Sequence, residues 1–164
     1  MPTITSRIPA LTDYLVTLFT TDVTLGAANP PVTVYDGPPT TELDPGLKLY
    51  IGWTDPDDTS GEAGSESQQE WAALGRRARS EVVIIHCCSE AWTGVDDIKA
   101  MRTAAAAITA AVETLMQADT SQFGGNVLYP MPGLTNVSTP QANTTKGSLV
   151  RQTFDLVFMC RIGG

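Results

Sequence analysis

Histidine occurs once in these 164 residues, cysteine three times, and charged residues make up only 17% of the chain. That share of charge is below the ~25% usual in globular domains. Thr, Ser, Gly and Pro take its place, which predicts long polar loops and leaves surface free for subunit contacts. No apolar run approaches the ~20 residues that span a bilayer, so no membrane partner is expected. No basic segment followed by an apolar one opens the chain, and the cysteine count is odd, which together fit a protein made in a reducing cytoplasm. The net charge is -8, and the one basic cluster, Arg76, Arg77 and Arg79, adjoins Glu81. Nucleic-acid binders usually carry a basic patch or stripe, so sequence-specific DNA binding is not expected. The phosphate-binding, dinucleotide, serine-hydrolase and H-E-x-x-H signatures are all missing. The sequence therefore offers no catalytic, cofactor-binding or metal residues, and an enzyme is not expected.

What is present is organised around one stretch. Residues 81–92, Glu-Val-Val-Ile-Ile-His-Cys-Cys-Ser-Glu-Ala-Trp, have an apolar centre without strict alternation. In a strand spanning 76–90, Val82, Ile84, His86 and Cys88 point to one face and Val83, Ile85 and Cys87 to the other, so both faces are expected to be covered. One cover follows directly. Ile98, Met101, Ala105, Ile108, Val112 and Leu115 step at +3 and +4 along a helix. Thr93 caps that helix in this reading, with Asp96 three residues on. The other face requires the N-terminal helix, another segment or another subunit.

The N-terminal helix carries Ile8, Leu11, Leu15, Leu18 and Phe19, with Thr5 or Ser6 as cap and Pro9 in its first turn. Short strands follow at 32–35 and 47–53, the second with Leu47, Leu49, Ile51 and Trp53 on one face. Residues 54–69, rich in Asp, Gly, Ser and Glu, form a mobile acidic loop. Gln122-Phe123-Gly124-Gly125 is a turn, 126–134 an extended edge segment with two prolines, and 137–147 a polar loop. The last strand, 148–162, alternates cleanly, with Phe154, Leu156, Phe158, Cys160 and Ile162 opposite Arg151, Thr153, Asp155, Val157, Met159 and Arg161. The fold class is α+β, a single domain over 1–164. Its antiparallel or mixed sheet has about four to six strands, packed by a long Ala-rich helix and the N-terminal helix.

Three groupings bear on chemistry. His86 and Cys88 share a strand face, but such neighbours stand ~7 Å apart, too far for a nucleophile pair; His86 is expected to be a satisfied core histidine. His86, Cys87 and Cys88 offer at most two zinc ligands on one side. Asp55, Asp57 and Glu66 resemble positions one, three and twelve of a calcium loop, but the glycine falls at seven and no helices flank it.

The order of several weak motifs is more specific than any one of them. The early helix is followed by Val34-Tyr35-Asp36-Gly37-Pro38, by Leu49-Tyr50-Ile51-Gly52 and an acidic loop, and by 81–92 leading through Gly94 into the helix with Arg102. Phe123-Gly124-Gly125 and the strand from Phe154 to Arg161 complete it. In this order and length the chain resembles the tail terminator proteins of long-tailed bacteriophages, also called tail completion or head–tail joining proteins. The resemblance implies a structural virion protein at the head–tail junction, a hexameric ring that caps the tail tube, ends its polymerisation and joins the head connector or stopper. A monomer when free is the other state the family allows. Its partners would be further copies of itself, the major tail tube protein and the connector, with DNA passing through the centre unbound. Six copies at -8 carry -48, and an acidic channel repels phosphate. Another connector part (stopper or adaptor), a minor tail protein, a small enzyme using His86 and Cys88, or a host-derived α+β binding domain are the competing readings. Ala106, Ala110 and Glu113 on the slim side of the long helix, with Arg151 and Asp155 on the last strand, are the candidate interface residues.

Overall fold

The computed structural model describes residues 5–38, 44–57, 63–71, 79–130 and 134–162, leaving out the side chains of 129 and 130. The chain order is α1 (Ile8–Thr21), α2 (Val23–Gly26), β1 (Val32–Asp36), β2 (Gly46–Ile51), β3 (Ser65–Trp71), β4 (Arg79–Trp92), α3 (Ile98–Ala118), β5 (Val127–Pro130), β6 (Thr135–Ser138), β7 (Gln141–Thr144) and β8 (Gly147–Ile162). The class is α+β with one mixed sheet. Its eight strands exceed the four to six expected.

The extra strands are polar edge pieces. β3 lies antiparallel on the first half of β4, from Ser65 opposite Ile85 to Trp71 opposite Arg79. The acidic stretch therefore becomes strand at Ser65 rather than remaining loop to residue 69; residues 58–62 lie outside the described ones. β6 and β7 replace most of the polar loop expected at 137–147. With β5 they form one interrupted strand along β8, running from Val127 opposite Cys160 to Thr144 opposite Gly147. β3, β6 and β7 have no apolar face. Their backbone pairs because the edges of β4 and β8 carry unsatisfied N–H and C=O groups, and their polar side chains are typical of protected sheet edges.

β4 and β8 pair antiparallel along fourteen positions, Arg79 opposite Ile162 through Trp92 opposite Leu149. β2 continues the sheet beyond the second half of β4, and β1 lies parallel to β2 at the outer edge. Residues 76–78 lie outside the described ones, so the described β4 begins three residues later than expected and runs two further, to Trp92.

Both long helices cover the same face. Leu11, Leu15 and Phe19 of α1 and Ile108, Val112 and Met116 of α3 pack in one core with Val83, Ile85 and Cys87 of β4 and Phe154, Leu156, Phe158 and Cys160 of β8. A small-residue contact completes it: Ala105 packs with Ala91 and Val150. There the Ser89 hydroxyl bonds the Ala105 carbonyl at 3.1 Å and meets the Thr109 hydroxyl at 2.7 Å. Part of the alanine content of α3 thus serves its own sheet. The N-terminal helix does not supply the second cover.

The helix starts also differ from expectation. Asp97, not Thr93, caps α3 by accepting from the Ala100 N–H at 3.0 Å. The start of α1 is held from a strand. The Glu81 carboxylate accepts from the Ser6 hydroxyl at 2.6 Å and the Arg7 N–H at 2.8 Å, while Ser6 also accepts from the Ile8 N–H.

Two turns tie the ends of the core. Residues 122–125 all take positive φ, 54°, 51°, 68° and 78°, a single left-handed turn. Such a conformation is costly for the non-glycine pair. It is held by the burial of Phe123, which meets Phe158 at 5.1 Å and Tyr14 at 5.9 Å between ring centroids. Gly147 opens β8 at φ 109°, and a Cβ there would stand 2.0 Å from the Thr93 carbonyl oxygen. Gly147→Ala is accordingly expected to cost more than about 1 kcal/mol, the sum of an unfavourable φ and a backbone clash. A urea melt measures it, and a loss below about 0.5 kcal/mol would mean that the tip of the hairpin relaxes freely.

Candidate functional site

The second face of the sheet is where polar chemistry collects. Among the described residues no helix packs on it. Alternation puts Val82, Ile84, His86, Cys88, Glu90 and Trp92 of β4 there, beside Arg151, Thr153, Asp155, Val157 and Met159 of β8. Trp53 joins them, because Gly52 at φ 78° turns the chain at the end of β2 and carries Trp53 away from Leu49 and Ile51.

One end of this face holds a charged network. Glu90, with 4% of its side chain exposed, accepts from Lys48 Nζ at 2.9 Å on one oxygen and from Arg151 Nε at 2.9 Å on the other. The aromatic residues wall it in. Lys48 Nζ lies 5.2 Å from the Trp92 ring centre, and the Arg151 guanidinium lies 5.2 Å from that of Trp53. Tyr50 stacks on Tyr35 at 5.2 Å and meets the tilted ring of Trp53 at 4.9 Å. Burial, with Glu90 close by, pushes the Tyr50 hydroxyl far above its ordinary range, so it stays protonated.

The middle of the face holds a cleft of about 300 Å³ lined by Trp53, Asp55, His86, Asn136, Thr153 and Asp155, among others. His86 stands directly across from Asp155 in the β4–β8 register. Its Nδ1 meets Asp155 Oδ1 at 2.5 Å, and the other Asp155 oxygen accepts from Asn136 Nδ2 at 2.6 Å. Asn136 reaches it because β6 is irregular there: its φ is 52°, and the register with β8 shifts between Thr135 and Ser138. Such bulges re-aim a side chain out of the pleat. His86 is therefore not a core histidine. It is half-buried on the open face with its Nδ1 satisfied.

The other end is apolar. Val82, Ile84, Val157 and Met159 are half-buried with nothing described over them, and Arg161 beside them is exposed.

The thiols lie apart from this chemistry. All three cysteines are free and buried. Burial pushes Cys87 and Cys88 far above the ordinary thiol range and Cys160 up to about 11, which leaves them protonated and poorly nucleophilic at neutral pH. Cys88 packs with Tyr50 and Trp53, away from a pairing with His86 Nδ1. Among the described residues no three His, Cys, Asp or Glu side chains come together as a metal site.

The five candidate interface residues fall on two opposite sides. Ala106 and Ala110 are exposed and Glu113 half-buried on α3, while Arg151 and Asp155 lie on the far face of the sheet, each already bonded within the chain. The sequence reading missed Lys48, Tyr50, Trp53, Glu90 and Asn136. For Glu90 a signal existed, since β4 alternation places it with His86 on the face that opposes the polar side of β8. Asn136 had none, because its position depends on a bulge. No helix of the described residues is long and apolar enough to cross a membrane. The chain matches no protein-family model, and no curated protein matches it.

Proposed function

We propose that this chain is a structural virion protein of a long-tailed bacteriophage, the subunit of a hexameric ring that caps the tail tube. The ring ends tube polymerisation and provides the joint to the head connector, with DNA passing through its centre unread. The observation that carries the reading beyond resemblance is that, among the described residues, the helices cover one face of the sheet and not the other. Its second face keeps Val82, Ile84, Val157 and Met159 half-exposed, and on the opposite side of the subunit α3 exposes Ala106 and Ala110. Two different contact surfaces on opposite sides are what a head-to-tail contact needs, and head-to-tail contacts form a ring when the rotation between neighbours closes. The chain's net charge of -8 suits a ring that DNA must slide through.

A substitution on α3 tests the contact. Ala110 is exposed in the single subunit, so Ala110→Arg is expected to change its stability by no more than about 0.5 kcal/mol. In a packed subunit contact the same arginine is a buried, unpaired charge. Wild type is expected to co-sediment with tail tubes of the same phage and the variant to stay in the supernatant. Co-sedimentation of the variant at the wild-type level would move the ring contacts off this helix.

A further inference from the structure

We infer that β3 and the entry to α1, residues 5–8, form one conformational unit, a latch closed over the Glu81 carboxylate that opens as a whole. The two segments are 64 residues apart where they touch. No strand pairing joins them, since β3 pairs with β4 and residues 5–8 are in no strand. Side chains make the connection.

Gln69 of β3 is the joint. Its Nε2 gives one proton to the Thr5 carbonyl at 2.7 Å and the other to Glu81 Oε1 at 3.1 Å, while its Oε1 accepts from Arg79 Nη1 at 2.8 Å. The reverse orientation of the amide would set its oxygen against two acceptors, so the partners fix which way it points. One side chain of the edge strand thus holds the N-terminal segment and the β4 carboxylate at once. From the other side, the Ser6 hydroxyl donates to the same Glu81 oxygen at 2.6 Å and the Arg7 N–H to the second at 2.8 Å.

Neither segment is held well without this. Glu66, Gln68, Gln69, Glu70 and Trp71 of β3 are exposed, so the strand rests on its backbone pairing and on the bonds its side chains make. Arg7, at the N-cap of α1, supplies no side-chain cap. Its guanidinium adds two long bonds, 3.3 Å to the Arg161 carbonyl and 3.4 Å to Asn126 Oδ1. Segments with few buried apolar contacts open locally at small cost. Glu81 is fully buried beneath the pair. When one segment leaves, water reaches the carboxylate and competes for the bonds that hold the other, which then contribute little. Two weak segments are coupled because they share one buried charge. The body of α1 stays in place, since Leu11, Leu15 and Phe19 are in the core. A partner that takes hold of either segment therefore loosens the other.

The test is amide hydrogen exchange on the free full-length chain at pH 7, followed by NMR, and it needs no tail tubes, so it stands apart from the tail reading. Two variants each alter one side. Ser6→Ala removes a donor of the N-terminal segment, and Gln69→Leu removes the joint at an exposed position of β3. Ser6→Ala is expected to speed exchange of the β3 amides that bond β4 by about fivefold, the weight of one hydrogen bond. Gln69→Leu is expected to do the same to the Arg7 N–H. Val112 in α3 keeps its wild-type rate in both. In the double variant the rates rise no further than in the faster single variant, because residues in one network are not additive. Faster exchange confined to the segment that carries the substitution would overturn the inference, as would rates in the double variant that equal the product of the two single effects. An equal rise at Val112 would overturn it too, since the opening is then global. Unprotected β3 and Arg7 amides in the wild type would mean that no latch closes in solution.

Discussion

Glu90→Gln is expected to cost about 3 kcal/mol of stability, a large effect for the removal of a single charge. The carboxylate is shared by Lys48 and Arg151, on separate oxygens. Taking away one partner of a buried ionic group costs about 3–5 kcal/mol, because the charge left behind is out of water and unpaired. The lower end applies here. Lys48 keeps only 6% of its side chain exposed, but Arg151 keeps 25% and recovers some hydration. For a chain of this length the loss lowers Tm by about 6–12 °C. Lys48→Met in the Glu90→Gln background is expected to return part of the loss, since it removes the cation with least access to water. Urea melts of the two variants decide the point. If Glu90→Gln loses under about 1 kcal/mol, the network is hydrated in solution and does not order the open face.

The second large effect is at the other end of β4. Glu81 is fully buried, and it joins three elements by accepting from Ser6, from the Arg7 N–H and from Gln69 Nε2 at 3.1 Å. Burial alone would push its pKa up; the bonds from Ser6, Arg7, Gln69 and Ser67 outweigh that and hold it below the ordinary carboxylate value. A depressed pKa means that the folded state favours the ionised form. Its contribution is therefore present above the unfolded value of about 4.3 and is lost as pH falls through the folded value. Glu81→Ala is expected to cost about 1–3 kcal/mol at pH 7, because it strands these donors. The gap between wild type and variant should then narrow as the pH drops below about 4. A gap that stays constant from pH 7 to pH 3 would mean that the bonds form equally well to the protonated acid.

How far the sequence could be read depended on periodicity. β8 alternates over its whole length, and its apolar side, Phe154 to Ile162, is the side that packs on the helices. The stripes of α1 and α3 were legible for the same reason. β3, β6 and β7 were not, because residues such as Glu66, Gln68 and Gln141 bury nothing. Only the free edges of β4 and β8 make those segments strands. The side taken by α1 was also hidden. Both faces of β4 carry apolar residues, and no local pattern decides between them. The Glu81 anchor settles it, and it spans 75 residues from Ser6. In the cleft, His86 and Asp155 were each noticed but not paired, since the pairing is a matter of strand register.

The most direct test of the terminator role is tube growth itself. Tail tube protein of the same phage is polymerised with and without an excess of this chain and followed by electron microscopy. Tubes are expected to stop growing, each with a ring of extra density at one end. Tubes that lengthen at the same rate in the presence of the chain, with bare ends, would contradict that role.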